Sequence, residues 1–319
     1  MDAIFDLSPL REVVQKYDQI VVTGATGWLG KETLSLLRSV LGPEYTTRVT
    51  AVAGRGLSRP SPEVGTTISW NEFVQLDSVN LLIHLAFLNR EKASDLGLSN
   101  YIQSNQKITQ DVASFLDNNP GCALLNASSG AVSAYEPDIN SSDPMFVYSA
   151  LKKEAEDLFN GLECIQTVVN MRIWNITGKF ISLDSPFLIV DLLKQAISSN
   201  AMRIDGNSSS TRTYINASEM MIVFFLALNL NEKQTIDSGG YKITFKQLAE
   251  SIARKFNISS NNCQFNGEDY PSQHYNPDSR DFAILAERFG LILSPVDSQL
   301  DNLLEAFGLN SDPSGKWVR

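Results

Sequence analysis

Residues 19–30 read QIVVTGATGWLG, a β-branched run (Ile20-Val21-Val22-Thr23) that breaks into three glycines at Gly24, Gly27 and Gly30. β-Branched residues fit a pleated strand, and glycines admit turns with positive φ. The following KETLSLLRSVLG places Leu34, Leu36, Leu37, Val40 and Leu41 at helical spacing, and Gly42-Pro43 supplies a stop signal. Strand, glycine turn and helix in direct succession is the context in which a dinucleotide pyrophosphate is bound. Glycines let backbone N–H groups approach the phosphates, and the helix N-terminus presents the positive end of its dipole. The spacing is GxxGxxG rather than GxGxxG, and the same glycines also suit a tight turn that holds no ligand.

Working outward, RVTAVAG (48–54), LLIHLAF (81–87) and CALLNAS (122–128) are short apolar runs, separated by helical stretches such as NYIQSNQKITQDVASFLDNN (100–119). Strands apolar on both faces and alternating with helices indicate a parallel sheet covered on both sides. The expected fold is α/β, a Rossmann-like doubly wound parallel sheet over residues 1–177 joined by right-handed crossovers. Residues 178–319 are expected to form mainly a smaller α+β substrate lobe, with 213–240 returning to the larger domain. The full length of 319 residues is compatible with two domains of ~100–200 residues each.

Acidic residues outnumber basic ones by 36 to 26, a net charge of -10, and there is no cluster of Lys and Arg to release counterions from a phosphate backbone. Nucleic acid is therefore not an expected partner. Cys122, Cys164 and Cys263 form neither a disulfide framework nor a CxxC pair, which fits a reducing compartment. The first twenty residues lack a leader pattern and no apolar run approaches ~18 residues, so a cytoplasmic location with no membrane partner is expected. His84 and His274 stand apart from other ligand types, and no metal site is expected.

Two further motifs carry chemistry. Tyr148 precedes Lys152 by four residues at the head of a helical stretch ending KKEAEDLFNGL, so both side chains share a face. A nearby ammonium favours a phenolate and lowers a tyrosine pKa from ~10, which makes the hydroxyl an acid–base group. The same pair is also common on helix surfaces. Upstream, Ser128-Ser129-Gly130 follows the strand CALLNA, at the carboxyl end where α/β sheets place their sites.

TGATGWLG, HLAF, SSGAV, YSALK and RIWNITG, in this order, resemble the extended short-chain dehydrogenase/reductase superfamily, and within it the NAD-dependent epimerase/dehydratase branch acting on nucleotide sugars. The resemblance is strong across residues 19–180 and looser to about 250. It implies that Tyr148 is the catalytic acid–base, that Lys152 binds the nicotinamide ribose and tunes Tyr148, and that Ser129 hydrogen-bonds the reacting sugar oxygen. Gly24, Gly27 and Gly30 are implied to line the pyrophosphate, with Thr26, Trp28 and Leu29 also at the cofactor. Leu85 and Ala86 are implied beside it, where the branch usually has HLAA. RIWNITG implies Trp174 near the nicotinamide and Asn175 on the substrate side. TRTYIN (211–216) is similar to the segment whose arginine clamps the substrate diphosphate, implying that role for Arg212, whose planar fork suits phosphate oxygens. A homodimer is implied as well.

The departures from the pattern are informative. Members that use NAD usually carry an acidic residue after the second strand, whereas this chain reads Ala53-Gly54-Arg55, then Arg59. That substitution points to NADP(H) over NAD(H), with Arg55 as counter-charge, although Arg55 also reads as a surface charge. Dehydratases of the branch carry Thr-Asp-Glu where this chain has Ser129-Gly130-Ala131, which disfavours a 4,6-dehydratase. Ser133 and Ala134 replace a tyrosine that often follows the serine motif. The expected function is an NAD(P)-dependent nucleotide-sugar epimerase or 4-ketoreductase. The alternatives are an NADPH-dependent ketoreductase of a non-nucleotide carbonyl, or a catalytically silent cofactor-binding scaffold.

Overall fold

Ile20–Thr23 forms strand β1, buried at every position, and Trp28–Leu41 forms helix α1. The computed structural model describes residues 6–54, 61–311 and 317–318. In it, β1 lies inside a seven-stranded sheet with β2 (Val49–Val52), β3 (Thr67–Ile68), β4 (Leu81–His84), β5 (Ala123–Ser129), β6 (Val168–Ile173) and the strand Lys233–Asp237. From one edge the order is Lys233–Asp237, β6, β5, β4, β1, β2, β3. Every neighbouring pair is parallel.

This is the doubly wound α/β sheet expected from the runs of apolar residues. β4 and β5 are buried at every position, because crossover helices cover both faces and no alternation of polar residues is needed. The chain winds one way through β1, β2 and β3 and the other way through β4, β5 and β6. The reversal leaves a crevice at the carboxyl ends of β1 and β4. Val21, Val52, Leu82, Leu124 and Val168, one from each of five adjacent strands, pack with Phe73, Phe115 and Phe159 in one cluster. Each such ring contributes about 1.5–3 kcal/mol by leaving water. Gly42, at φ +55, ends α1 as expected, but Pro43 then opens a 3-10 turn, Gly42–Glu44, instead of a loop. Pro suits a first helical position because its missing N–H needs no partner there.

The chain divides into two compact units, the first being 1–174, 220–238 and 279–291, and the second 175–219, 239–278 and 292–319. The first contains the parallel sheet, helix α2 (Leu98–Asn118) and helix α3 (Pro144–Gly161). The second contains a mixed sheet of β7 (Asn175–Thr177), β8 (Thr211–Asn216), β9 (Tyr241–Thr244) and β10 (His274–Tyr275). There β9 runs antiparallel to β8, while β7 and β10 run parallel to it. Helix α4 (Phe245–Phe256) starts from a capping box of Thr244 and Gln247. Among the described residues no helix is long and apolar enough to cross a membrane.

Candidate active site

The glycine turn is shaped by what its residues lack. Gly24 has φ +67, and a Cβ there would lie 2.8 Å from the backbone of Leu85 and of Ala86. A Cβ on Gly30 would lie 2.3 Å from the Gly24 carbonyl oxygen. Two backbone segments thus approach where only hydrogen fits. Gly27 is the N-cap of α1 in an extended conformation, and no side chain caps that end of the helix. Thr26 is exposed, and Trp28 and Leu29, in the first helical turn, are half-buried. A glycine turn leading into an uncapped helix N-terminus fits a pyrophosphate.

Thr23, at the tip of β1, ties this turn to β4. Its hydroxyl oxygen accepts from the amides of Leu85 (3.2 Å) and Ala86 (3.3 Å) and lies 2.8 Å from His84 Nδ1. With two N–H bonds accepted, the hydroxyl's own proton goes to Nδ1, which leaves the imidazole neutral. Burial agrees, pushing the His84 pKa down to about 3, with the Lys152 charge adding to the effect. The structure thereby brings Leu85 and Ala86 against Gly24.

The second cluster lies at the carboxyl end of β5. Asp143 caps α3 by accepting from the Met145 amide (2.8 Å), and Pro144 occupies the first turn, so Tyr148 and Lys152 stand one turn apart near a well-defined helix start. Tyr148 is half-buried, and the Ser129 hydroxyl lowers its pKa against the opposing effect of burial. The Ser129 hydroxyl oxygen also accepts from the Ala131 amide at 3.2 Å. Lys152 is buried, donates from Nζ to the Ala127 carbonyl at 2.7 Å, and lies 3.6 Å from the centroid of the Phe87 ring. That ring meets Tyr148 edge-on at 5.7 Å. Burial lowers the Lys152 pKa to about 7, against the opposing pull of Glu156.

The expectation of a lysine-depressed phenol is corrected here. Burial raises the Tyr148 pKa, the Ser129 hydrogen bond opposes that rise, and Glu91 and Arg90 contribute with opposite signs. Sequence spacing accounts for a neighbouring charge but not for the desolvation of both partners.

Trp174 closes the first unit's share of the predicted residues. Its ring lies over Gly130, where a Cβ would come 2.3 Å from the indole. Trp174 Nε1 donates to Asp237 (2.7 Å), and its amide donates to the Ser238 hydroxyl (3.1 Å). Asn175 and Arg212 belong to the second unit. There Asn175 Nδ2 donates to the Thr213 carbonyl at 3.2 Å. The Arg212 guanidinium lies 5.0 Å from the Phe245 ring and 5.6 Å from the Tyr275 ring, and donates to the Thr211 carbonyl at 2.9 Å. Arg55 and Arg59 lie outside the described residues. Among the described residues no group of three or more His, Cys, Asp or Glu side chains is placed to hold a metal ion.

Three contributors escaped the sequence reading. Phe87 had a visible signal, the departure of HLAF from HLAA. Asn105, fully buried on α2, holds the loop after β4 by bonding both the amide (2.9 Å) and the carbonyl (3.2 Å) of Leu88, and nothing in its own surroundings announced it. Glu156 continues the stripe of Tyr148 and Lys152 by one more turn.

A topological switch point, a glycine turn, and a Ser–Tyr–Lys cluster at the carboxyl ends of the strands define a dinucleotide-dependent enzyme of the extended short-chain dehydrogenase/reductase type. The chain belongs to the NAD dependent epimerase/dehydratase family, whose model matches residues 20–239. Solved structures share the fold at low identity. The UDP-N-acetylglucosamine 4-epimerase from Methanobrevibacter ruminantium M1 in complex with UDP-N-acetylmuramic acid is 18% identical with a TM-score of 0.70, covering 91% of this chain and 98% of that one. MoeE5 in complex with UDP-glucose and NAD is 17% identical with a TM-score of 0.68, at the same coverages of 91% and 98%. The dTDP-glucose 4,6-dehydratase from Bacillus anthracis str. Ames in complex with NAD is 12% identical with a TM-score of 0.68, covering 91% of this chain and 96% of that one. A search of curated proteins by sequence returns no significant match.

The expectation of NADP(H) is overturned. The family is described as NAD dependent, and similar structures, among them MoeE5 and a mutant UDP-glucuronic acid 4-epimerase from Bacillus cereus, are solved with NAD. The error has a physical basis. A missing carboxylate after β2 removes one acceptor for a ribose hydroxyl, but it does not build a site for a phosphate.

Proposed function

We propose that the protein is a nucleotide-sugar epimerase that inverts one sugar carbon, with NAD regenerated in each turnover. The observation that carries this reading is the placement of Ser129 at the end of β5 and of Tyr148 and buried Lys152, which bonds the Ala127 carbonyl of β5, on α3, at the carboxyl ends of the sheet that also bears the glycine turn. The absence of carboxylates at Ser129-Gly130-Ala131 speaks against loss of water as the reaction. Nucleotide-sugar enzymes among the fold neighbours, including a UDP-N-acetylglucosamine 4-epimerase, support the substrate class.

Gly24, Gly27 and Gly30 would hold the pyrophosphate, bordered by Thr26, Trp28 and Leu29. Leu85 and Ala86 would border the adjoining part of the cofactor, Lys152 would bond the ribose, and Trp174 would lie by the nicotinamide. When bound, NAD supplies the hydride acceptor and donor. Tyr148 Oη takes the proton of the reacting hydroxyl as the carbonyl forms and returns it afterwards. Ser129 orients that oxygen through its own hydroxyl. Lys152 loses its ammonium charge as the pH rises through about 7, so turnover that depends on this charge to hold the ribose falls over that range. On the substrate side, Asn175 contributes a polar contact, and Arg212, its plane flanked by two aromatic rings, receives the diphosphate.

The test is incubation with NAD and a panel of UDP-, dTDP-, GDP- and CDP-sugars, following both product stereochemistry and NADH absorbance. Interconversion of two epimers with no net NADH change is expected. Stoichiometric reduction of a keto sugar would replace the epimerase by a ketoreductase, and a dehydrated product would replace it by a dehydratase.

A further inference from the structure

The side-chain stripe of α3 continues past Lys152 to Glu156, which is 2% exposed. Three donors converge on its carboxylate. Ser128 Oγ donates at 2.5 Å and Arg172 Nε at 2.9 Å to Oε1, while a terminal Arg172 nitrogen donates at 2.7 Å to Oε2. The other terminal nitrogen of Arg172 donates to the Ser133 hydroxyl at 3.0 Å. Ser128 and Ser133 bracket Ser129, one in the strand before it and the other in the short helix Ala131–Ala134 after it.

We propose that Glu156 is a positioning residue for this site, fixing the segment that carries Ser129 onto α3 and standing as the buried counter-charge of Lys152. The proposal rests on the reading of Ser129, Tyr148 and Lys152 as the acid–base group.

Two arguments support it. First, a buried carboxylate must be fully hydrogen-bonded, and the groups that satisfy Glu156 are Ser128 and Arg172, the latter also holding Ser133, so the carboxylate is tied to both sides of Ser129, directly and through Arg172. Second, the surroundings of Lys152 offer no equivalent. The neutral His84 faces it from β4, the Ala127 carbonyl from β5, the Phe87 ring from the loop after β4, and Tyr148 and Glu156 from α3. Of these, Glu156, one helical turn along α3, is the group with a formal negative charge, and it adds to the Ala127 carbonyl and the Phe87 ring in favouring the ammonium. On its far side Glu156 meets Arg172, which also feels Asp237 and Asp157. Removing the carboxylate leaves Lys152 with a less favourable environment for its charge, and it loosens one of the ties that hold Ser129 in front of Tyr148.

Two full-length variants test this, Glu156→Gln and the doubly neutral Glu156→Gln/Arg172→Met. The second removes the unpaired arginine and so guards against a variant that simply fails to fold. The first readout is competitive acylation of Lys152 against pH, quantified by mass spectrometry, with exposed Lys107 as internal reference. Its midpoint is expected to fall by about one pH unit in both variants. The second readout is kinetic, with kcat falling about 10- to 100-fold while the sugar KM and the NAD Kd stay within about threefold. Glu156→Asp, which keeps the charge on a shorter arm, is expected to recover most of the acylation midpoint. An unchanged Lys152 midpoint in a folded variant overturns the counter-charge, and an unchanged kcat overturns the positioning role. Failure of the underlying reading looks different, since it would show as full turnover in Tyr148→Phe whatever the acylation midpoint does.

Discussion

The glycine turn and the α3 cluster sit at the carboxyl ends of strands of the same parallel sheet and are built by opposite means. The turn is made by omitting side chains, so that backbones pass where a methyl group cannot fit, 2.3 Å from the Gly24 carbonyl in the tightest case. The cluster is made by burying charges, with Lys152, Glu156 and Arg172 withdrawn from water and satisfied by one another and by Ala127, Ser128 and Ser133. The first region is therefore sensitive to added volume and indifferent to pH. The second responds to charge and pH, and keeping it buried opposes stability. A site with both parts can hold a polyphosphate with neutral amides while keeping its titratable groups for chemistry.

The largest test of this contrast is Tyr148→Phe. It removes a proton-transfer group and little volume, so turnover should fall by roughly 10²–10⁴-fold while NAD affinity, measured by calorimetry, stays within about twofold. Comparable loss of both would mean that the two regions are not separable. Next, Gly30→Ala adds one methyl group against backbone and should weaken NAD binding by about 100-fold, about 2.7 kcal/mol. Wild-type affinity in that variant would remove the turn from the cofactor site.

Smaller effects concern stability. His84 has a pKa pushed down to about 3 by burial, whereas an unfolded histidine titrates near 6.5. Its stabilising contribution is thus fully present above pH 6.5 and is lost progressively as the pH falls towards 3. Between pH 7 and 5 that loss is about 2 kcal/mol. Denaturant unfolding of wild type and His84→Gln at the two pH values measures it, and equal slopes would show that His84 ionises freely in the fold. Finally, Lys152→Met should abolish turnover yet stabilise the fold by about 1 kcal/mol at pH 7, because an apolar stem replaces a buried ammonium. The Lys152 pKa is depressed from 10.5 to about 7, so this gain should grow as the pH falls from the ordinary lysine range towards about 7 and level off below it. A lower melting temperature for the variant would instead mean that the ammonium contributes net stability.

Much of the turn was legible in QIVVTGATGWLG, because strand, glycines and helix are contiguous and each residue type reflects its own backbone requirement. The α3 cluster was legible only in part. Tyr148 and Lys152 are four apart and share a face, but the Glu156–Arg172 pair joins a helix to a strand, and the Asn105–Leu88 contact joins a helix to a loop. Neither has a local signal. The expected lowering of the Tyr148 pKa failed for the same kind of reason, since desolvation is set by everything packed around a group and not by its nearest charged neighbour. The preference for NADP(H), drawn from a missing carboxylate and a nearby Arg55, failed because neither establishes by itself a site for a second phosphate.

By itself, then, the sequence determined the sheet, its winding and the position of the switch point. Those follow from short-range patterns: two-sided burial makes continuous apolar strands, helical period sets the covering faces, and positive φ selects glycine. Only the tertiary structure decided which way the buried groups titrate, that His84 is neutral with Thr23 donating to it, and that Glu156 on α3 accepts from Ser128 and from Arg172, which in turn donates to Ser133. Electrostatic energies depend on how much water each group has lost and on partners brought from distant points of the chain.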